Sequence, residues 1–119
     1  MTEQLISFET AVLAKEKGFD LKCEMCFLSE ENEPQPFKNP APSMSNKIEM
    51  AYSAPTQSLL QKWLREIHAI DIWVERYNST ERFYYQCPKV HDIHPHLNHW
   101  GDTYEEALEK GLQQALKLI

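Results

Sequence analysis

Residues 70–87 read IDIWVERYNSTERFYYQC. Ile70, Ile72 and Val74 alternate with Asp71, Trp73, Glu75 and Tyr77. Beyond the polar Asn78-Ser79-Thr80, Phe83, Tyr85 and Cys87 alternate with Arg82, Tyr84 and Gln86. A period of two belongs to a strand, because successive side chains point to opposite faces. Two such runs around a short polar turn predict a β-hairpin. Its aliphatic face is expected to cover helices, since an antiparallel sheet commonly packs one face on the core. The other face carries Trp73, Tyr77 and Tyr84 among Glu75, Arg76 and Arg82. Tyr, Trp and Arg are the residue types that anchor interfaces. Trp73, Tyr77, Tyr84 and Arg82 therefore form a candidate interaction face. The competing expectation is that another segment covers this face, either residues 29–46 or the stretch around Trp100.

On either side of the hairpin the period changes to that of a helix. Upstream, SAPTQSLLQKWLREIHAI places Leu59, Leu60, Trp63, Leu64 and Ile67 on one broad apolar stripe. Gln61, Lys62, Arg65 and Glu66 face away, and Pro55 suits the first turn. Downstream, GDTYEEALEKGLQQALKLI places Tyr104, Leu108, Leu112, Ala115, Leu116 and Ile119 on a stripe. Thr103 and Glu106 have capping-box spacing. Gly111 falls on that stripe, where a glycine costs about 1 kcal/mol against Ala, so it is expected to mark close packing. Near the start, LISFETAVLAKEKGFD predicts a helix over 8–17, with Ser7 as N-cap and Gly18 at the C′ position. LKCEMCFL predicts a strand over 21–28.

Residues 29–46 hold Pro34, Pro36, Pro40 and Pro42. Proline lacks an amide donor and fixes φ, so neither a helix nor a central strand fits. A long Pro-rich loop is expected; its composition favours an insertion over a polyproline recognition segment. The resulting order, α-β-α-β-β-α, predicts an α+β fold with a small antiparallel sheet and helices packed on one face. The 119 residues suit a single domain spanning 1–119.

The net charge is −6, and the 12 basic residues are scattered. This disfavours binding to a phosphate backbone, which needs clustered Lys and Arg. MTEQLISFET has neither a basic n-region nor an apolar core, so no signal peptide is expected. No apolar stretch approaches the roughly 18 residues of a membrane span. A cytoplasmic location is expected, and with it three reduced cysteines.

Two sets of residues could hold a metal. Cys23-Glu24-Met25-Cys26 is a C-x2-C pair, and Cys87 to His91 is C-x3-H. Three thiolates and an imidazole are the donors of a closed tetrahedral zinc site. Against this, residues three apart on a strand point to opposite faces, and buried cysteine behaves as an ordinary small hydrophobe. The second set is HDIHPHLNHW, with His91, His94, His96 and His99, and Asp92 as an oxygen donor. Imidazole and carboxylate suit Zn, Ni or Cu, but the spacing matches no closed signature. The same histidines would gain charge between about pH 7.5 and 5.5, a range the cytoplasm rarely visits. A surface loop with incidental metal affinity is the favoured expectation.

Catalysis has less support. Cys87 could act as a nucleophile beside one of these histidines, but it follows the inward alternation of Phe83 and Tyr85. A core position is favoured for it. No Gly-rich phosphate loop, G-x-S-x-G elbow or H-E-x-x-H occurs, so no catalytic residue is assigned and a non-enzymatic role is expected.

Three stretches, SFETAVLAKEKGFD, APTQSLLQKWLRE and TYEEALEKGLQQALKLI, together resemble a family of small uncharacterised proteins encoded by gut bacteria and their phages or prophages. That family has no assigned activity to carry over. The resemblance implies a cytoplasmic accessory protein of a mobile element, acting on host or phage machinery; the aromatic alternation and the lack of a catalytic motif point to action through a protein partner. Residues 29–46 and 86–100 lie outside it. The alternative is a zinc protein using Cys23, Cys26, Cys87 and His91, or the His91–His99 loop.

Overall fold

The computed structural model describes residues 4–21, 23–28, 33–36, 51–76, 82–88 and 100–119. These form three helices and two antiparallel sheets of three strands each. The α+β class and the α-β-α-β-β-α order are as expected, with the strands divided between two sheets. The chain divides into two compact units, Met1–Leu59 and Leu60–Ile119.

In the first unit α1 spans Phe8–Glu16. Ser7 caps it, its hydroxyl accepting from the Thr10 amide at 3.3 Å. Gly18 closes it in the left-handed region, at φ +88°. Phe19 N–H then donates to Ala14 O at 3.0 Å, and Gly18 N–H to Lys15 O at 3.2 Å. This is a Schellman closure, which glycine permits because it has no Cβ to clash. β1 (Met25–Phe27) is the centre of a sheet, with β2 (Gln35–Pro36) on one side and β3 (Tyr52–Ser53) on the other. β1 is shorter than the expected 21–28, because the chain bends at Glu24.

The Pro-rich segment is not wholly a loop: Gln35 and Pro36 pair with Cys26 and Met25. Pro36 is tolerated because β2 is an edge strand, where a missing donor costs no ladder bond. The rest of 29–46 lies outside the described residues. Phe8 of α1 meets Phe27 and Tyr52 edge-on, with centroids at 5.6 and 5.3 Å. Lys15 turns inward on the same helix, donating to Ala51 O at 2.8 Å with its ammonium 4.6 Å from the Tyr52 centroid.

α2 spans Gln57–His68, and the boundary between the units falls after its first turn. Thr56 caps it: its hydroxyl accepts from the Leu59 amide at 3.2 Å. Pro55 thus precedes the cap and is not in the first turn. Leu60, Trp63 and Leu64 are buried as the stripe requires, but Ile67 is 63% exposed. The helix ends at Ala69, a non-glycine residue at φ +54°, a conformation costing about 1 kcal/mol. It turns Ile70 N–H back onto Leu64 O at 3.0 Å.

In the second unit β4 (Trp73–Arg76), β5 (Phe83–Gln86) and β6 (Trp100–Gly101) form an antiparallel sheet in that order. The hairpin register pairs Trp73 with Gln86, Val74 with Tyr85, Glu75 with Tyr84 and Arg76 with Phe83. α3 spans Tyr104–Lys117. The Thr103 hydroxyl accepts from the Glu106 amide at 3.1 Å. The Glu106 carboxylate reaches back one residue further than in the usual box, accepting from the Asp102 amide at 3.2 Å. α3 covers one face of the sheet through Gly111, whose missing side chain makes room for Tyr85 and Ile72. Ala107, Leu108, Leu112, Ala115 and Leu116 are buried, while Tyr104 and Ile119 at the helix ends are exposed.

Candidate functional site

The alternation of the hairpin is clearest at its base, away from the turn, while Val74 and Phe83 are half-buried. Ile70, Ile72, Tyr85 and Cys87 are buried, while Trp73 is 41% exposed. The face turned away from α3 carries Trp73, Glu75, Tyr84 and Gln86, which share a face by the register. β6 extends it, because Trp100 pairs with Tyr84. Trp100 is therefore part of the platform rather than a cover laid over it. The Tyr84 and Trp100 rings lie 5.3 Å apart at 47°. The Arg82 guanidinium sits 5.5 Å from the Trp100 centroid, within cation–π range.

Glu75 organises this surface. As residue i+2 to Trp73 it shares that face, and it is the cross-strand partner of Tyr84. The Trp73 indole N–H donates to Glu75 Oε1 at 3.0 Å, and the Tyr84 hydroxyl donates to Oε2 at 2.6 Å. The Tyr84 bond, and after it the Trp73 bond, hold the Glu75 carboxyl below its ordinary value. Glu75 is thus anionic throughout the neutral range, and two rings are tied to one carboxylate. Trp73, Tyr84 and Arg82 lie on this surface as expected, whereas Tyr77 lies outside the described residues. Two members were missed as participants: Glu75, read only as a flanking charge, and Trp100. The i, i+2 spacing of Trp73 and Glu75 was the available signal for the first. No local pattern gave the second, because β6 is two residues long.

The cysteines fall elsewhere. Cys23 and Cys26 belong to the first unit, Cys87 to the second, and all three are free and buried. The bend at Glu24 removes the strand geometry that would send Cys23 and Cys26 to opposite faces. Burial pushes the Cys26 thiol up, and the neighbouring Cys23 adds to the shift. The Cys23 thiol donates to Met25 O at 3.5 Å. A mostly apolar cavity of about 250 Å³ opens beside it, bordered by Leu5, Met25, Pro55 and Leu59. Cys87 takes the inward position expected of a core residue. Among the described residues, no group of three or more His, Cys, Asp or Glu side chains is placed to hold a metal. His91, His94, His96 and His99 lie outside those residues. Among the described residues, too, no helix is long and apolar enough to cross a membrane.

Comparison of the chain with protein-family models, curated proteins and solved structures found no match.

Proposed function

We propose that this chain is a non-enzymatic cytoplasmic accessory protein, related to those of phages and prophages, that acts by binding another protein through the Trp73, Tyr84 and Trp100 face. One observation carries the reading. The sheet β4-β5-β6 buries one face against α3 and leaves on the other three large aromatic residues with Arg82, the composition of an interface hot spot. A photo-crosslinking residue at Gln86, exposed on this face, tests it inside the host cell against the same residue at Lys62, exposed on α2. A discrete adduct is expected from position 86, absent from position 62 and lost when Trp73→Ala is added. Equal adducts from both positions, or none from 86, would sink the reading.

A second reading is zinc binding by Cys23, Cys26, Cys87 and His91 or by the His91–His99 loop, supported by the free Cys23 and Cys26 lying together in the first unit on either side of the bend at Glu24. On this reading, tag-free protein purified without chelator carries about one equivalent of zinc, lost along with stability in Cys23→Ser. Elemental analysis showing no zinc in either protein removes it.

A further inference from the structure

Among the described residues the Glu75 carboxylate accepts two hydrogen bonds, both from aromatic side chains on its own face. A carboxylate offers about four lone-pair sites across its two oxygens. Trp73 takes one on Oε1, and Tyr84 takes one on Oε2. Each oxygen therefore has a lone-pair site that no described residue fills, and both oxygens are held in place by the rings. Among the described residues no cation pairs with Glu75.

We infer that Glu75, framed by Trp73 and Tyr84, receives the guanidinium of an arginine on a basic segment of the partner protein. The inference rests on the interaction-face reading above and names the chemistry of what that face holds. Arginine fits better than lysine for two reasons. Its planar fork donates two parallel N–H bonds, one to each carboxylate oxygen, whereas an ammonium is a point donor. Guanidinium also stacks on aromatic rings, and this face already seats one, Arg82 over Trp100. The net charge of −6 draws a basic segment from a distance. The same carboxylate repels phosphate, which counts against a single-stranded nucleic acid stacking on these rings. A glutamate is charged at neutral pH in any case, and the two ring bonds fix where that charge sits.

The test uses the ¹⁵N-labelled full chain and follows the indole N–H resonances of its three tryptophans. Trp63, buried on α2, is the internal control. The probes are acetyl-Gly-Arg-Gly-Arg-Gly-amide, its lysine counterpart and an eight-residue oligothymidine. The arginine peptide is expected to shift Trp73 saturably and leave Trp63 in place. Binding should be at least fivefold weaker for the lysine peptide and at least tenfold weaker to Glu75→Gln. Glu75 is fully exposed, so that variant should keep the remaining spectrum and report binding rather than folding. Equal affinity for the two peptides, no response to either, retention within twofold in Glu75→Gln, or preference for the oligothymidine would each overturn the inference. An adduct at position 86 alongside any of these would leave the interaction face standing without its arginine. Arginine selectivity with no adduct at 86 would instead overturn the assignment to a protein partner.

Discussion

Gly101→Ala is expected to remove about 3 kcal/mol of folding stability, at the upper end of what overpacking costs. A Cβ at this position would stand 2.5 Å from the Ala107 nitrogen, and 3.0 Å from both the Ala107 Cα and the Glu106 carbonyl carbon. All three are backbone atoms, so no rotamer change relieves the clash. β6 must move away from α3, or the first turn of α3 must move away from β6. That turn is fixed by the Thr103 cap and by the Ala107 amide, which donates to Thr103 O at 3.1 Å. The next turn of α3 is also tied to β6 by the Lys110 ammonium, which donates to Trp100 O. Movement on either side breaks hydrogen bonds as well as packing. Urea denaturation of the variant against the parent chain measures the loss. A change below about 1 kcal/mol would mean that β6 and α3 separate freely. Because Trp100 is the neighbour of Gly101, the variant should also disturb the Tyr84–Trp100 contact, visible as a shifted Trp100 indole resonance.

Gly111→Ala is the second large effect, and its sign depends on which of two terms wins. In an exposed helix interior, replacing Gly by Ala gains about 1 kcal/mol. Here the new Cβ would lie 2.9 Å from Tyr85 Cγ and 3.0 Å from both Tyr85 Cβ and Ile72 Cγ2. These atoms sit close to their own backbones in a β-sheet and cannot swing away like the tip of a long side chain. Tyr85 is 1% exposed and Ile72 4% exposed, so neither has open space to enter. Overpacking of this kind costs roughly 1–3 kcal/mol, so against the helical gain a net loss of up to about 2 kcal/mol is expected. The cost should fall in an Ile72→Ala background, where one of the three contacts is gone, and a double-mutant cycle reads that coupling. A net gain in stability from Gly111→Ala alone would show that α3 stands off the sheet.

Much of this architecture was legible because its signals are local. Ser7 and Gly18 bracket α1 through bonds that reach no further than five residues. Thr103 caps α3 in the same way. The hairpin faces follow from alternation alone, and Gly111 announced close packing by sitting on an apolar stripe where its propensity is poor. The failures share a cause as well. β2, β3 and β6 have two residues each, too short to show any period, and each exists only because a partner strand supplies its hydrogen bonds. Pro36 spoke against a strand, and only its place on a sheet edge makes it acceptable. Ile67 belonged to the helical stripe by spacing, but burial depends on what lies opposite, and it is exposed.

The candidate site divides along the same line. The sequence by itself determined that Trp73 and Glu75 share one side of their strand by parity, and it placed Tyr84 with them, and Tyr85 with Ile72, because the apolar residues of both strands should turn to the same core. Only the tertiary structure decided that Trp100 joins the first face and that Glu75 is its centre. Both depend on register between strands, and a hydrogen bond such as Tyr84 to Glu75 at 2.6 Å is made across the sheet, nine residues away along the chain.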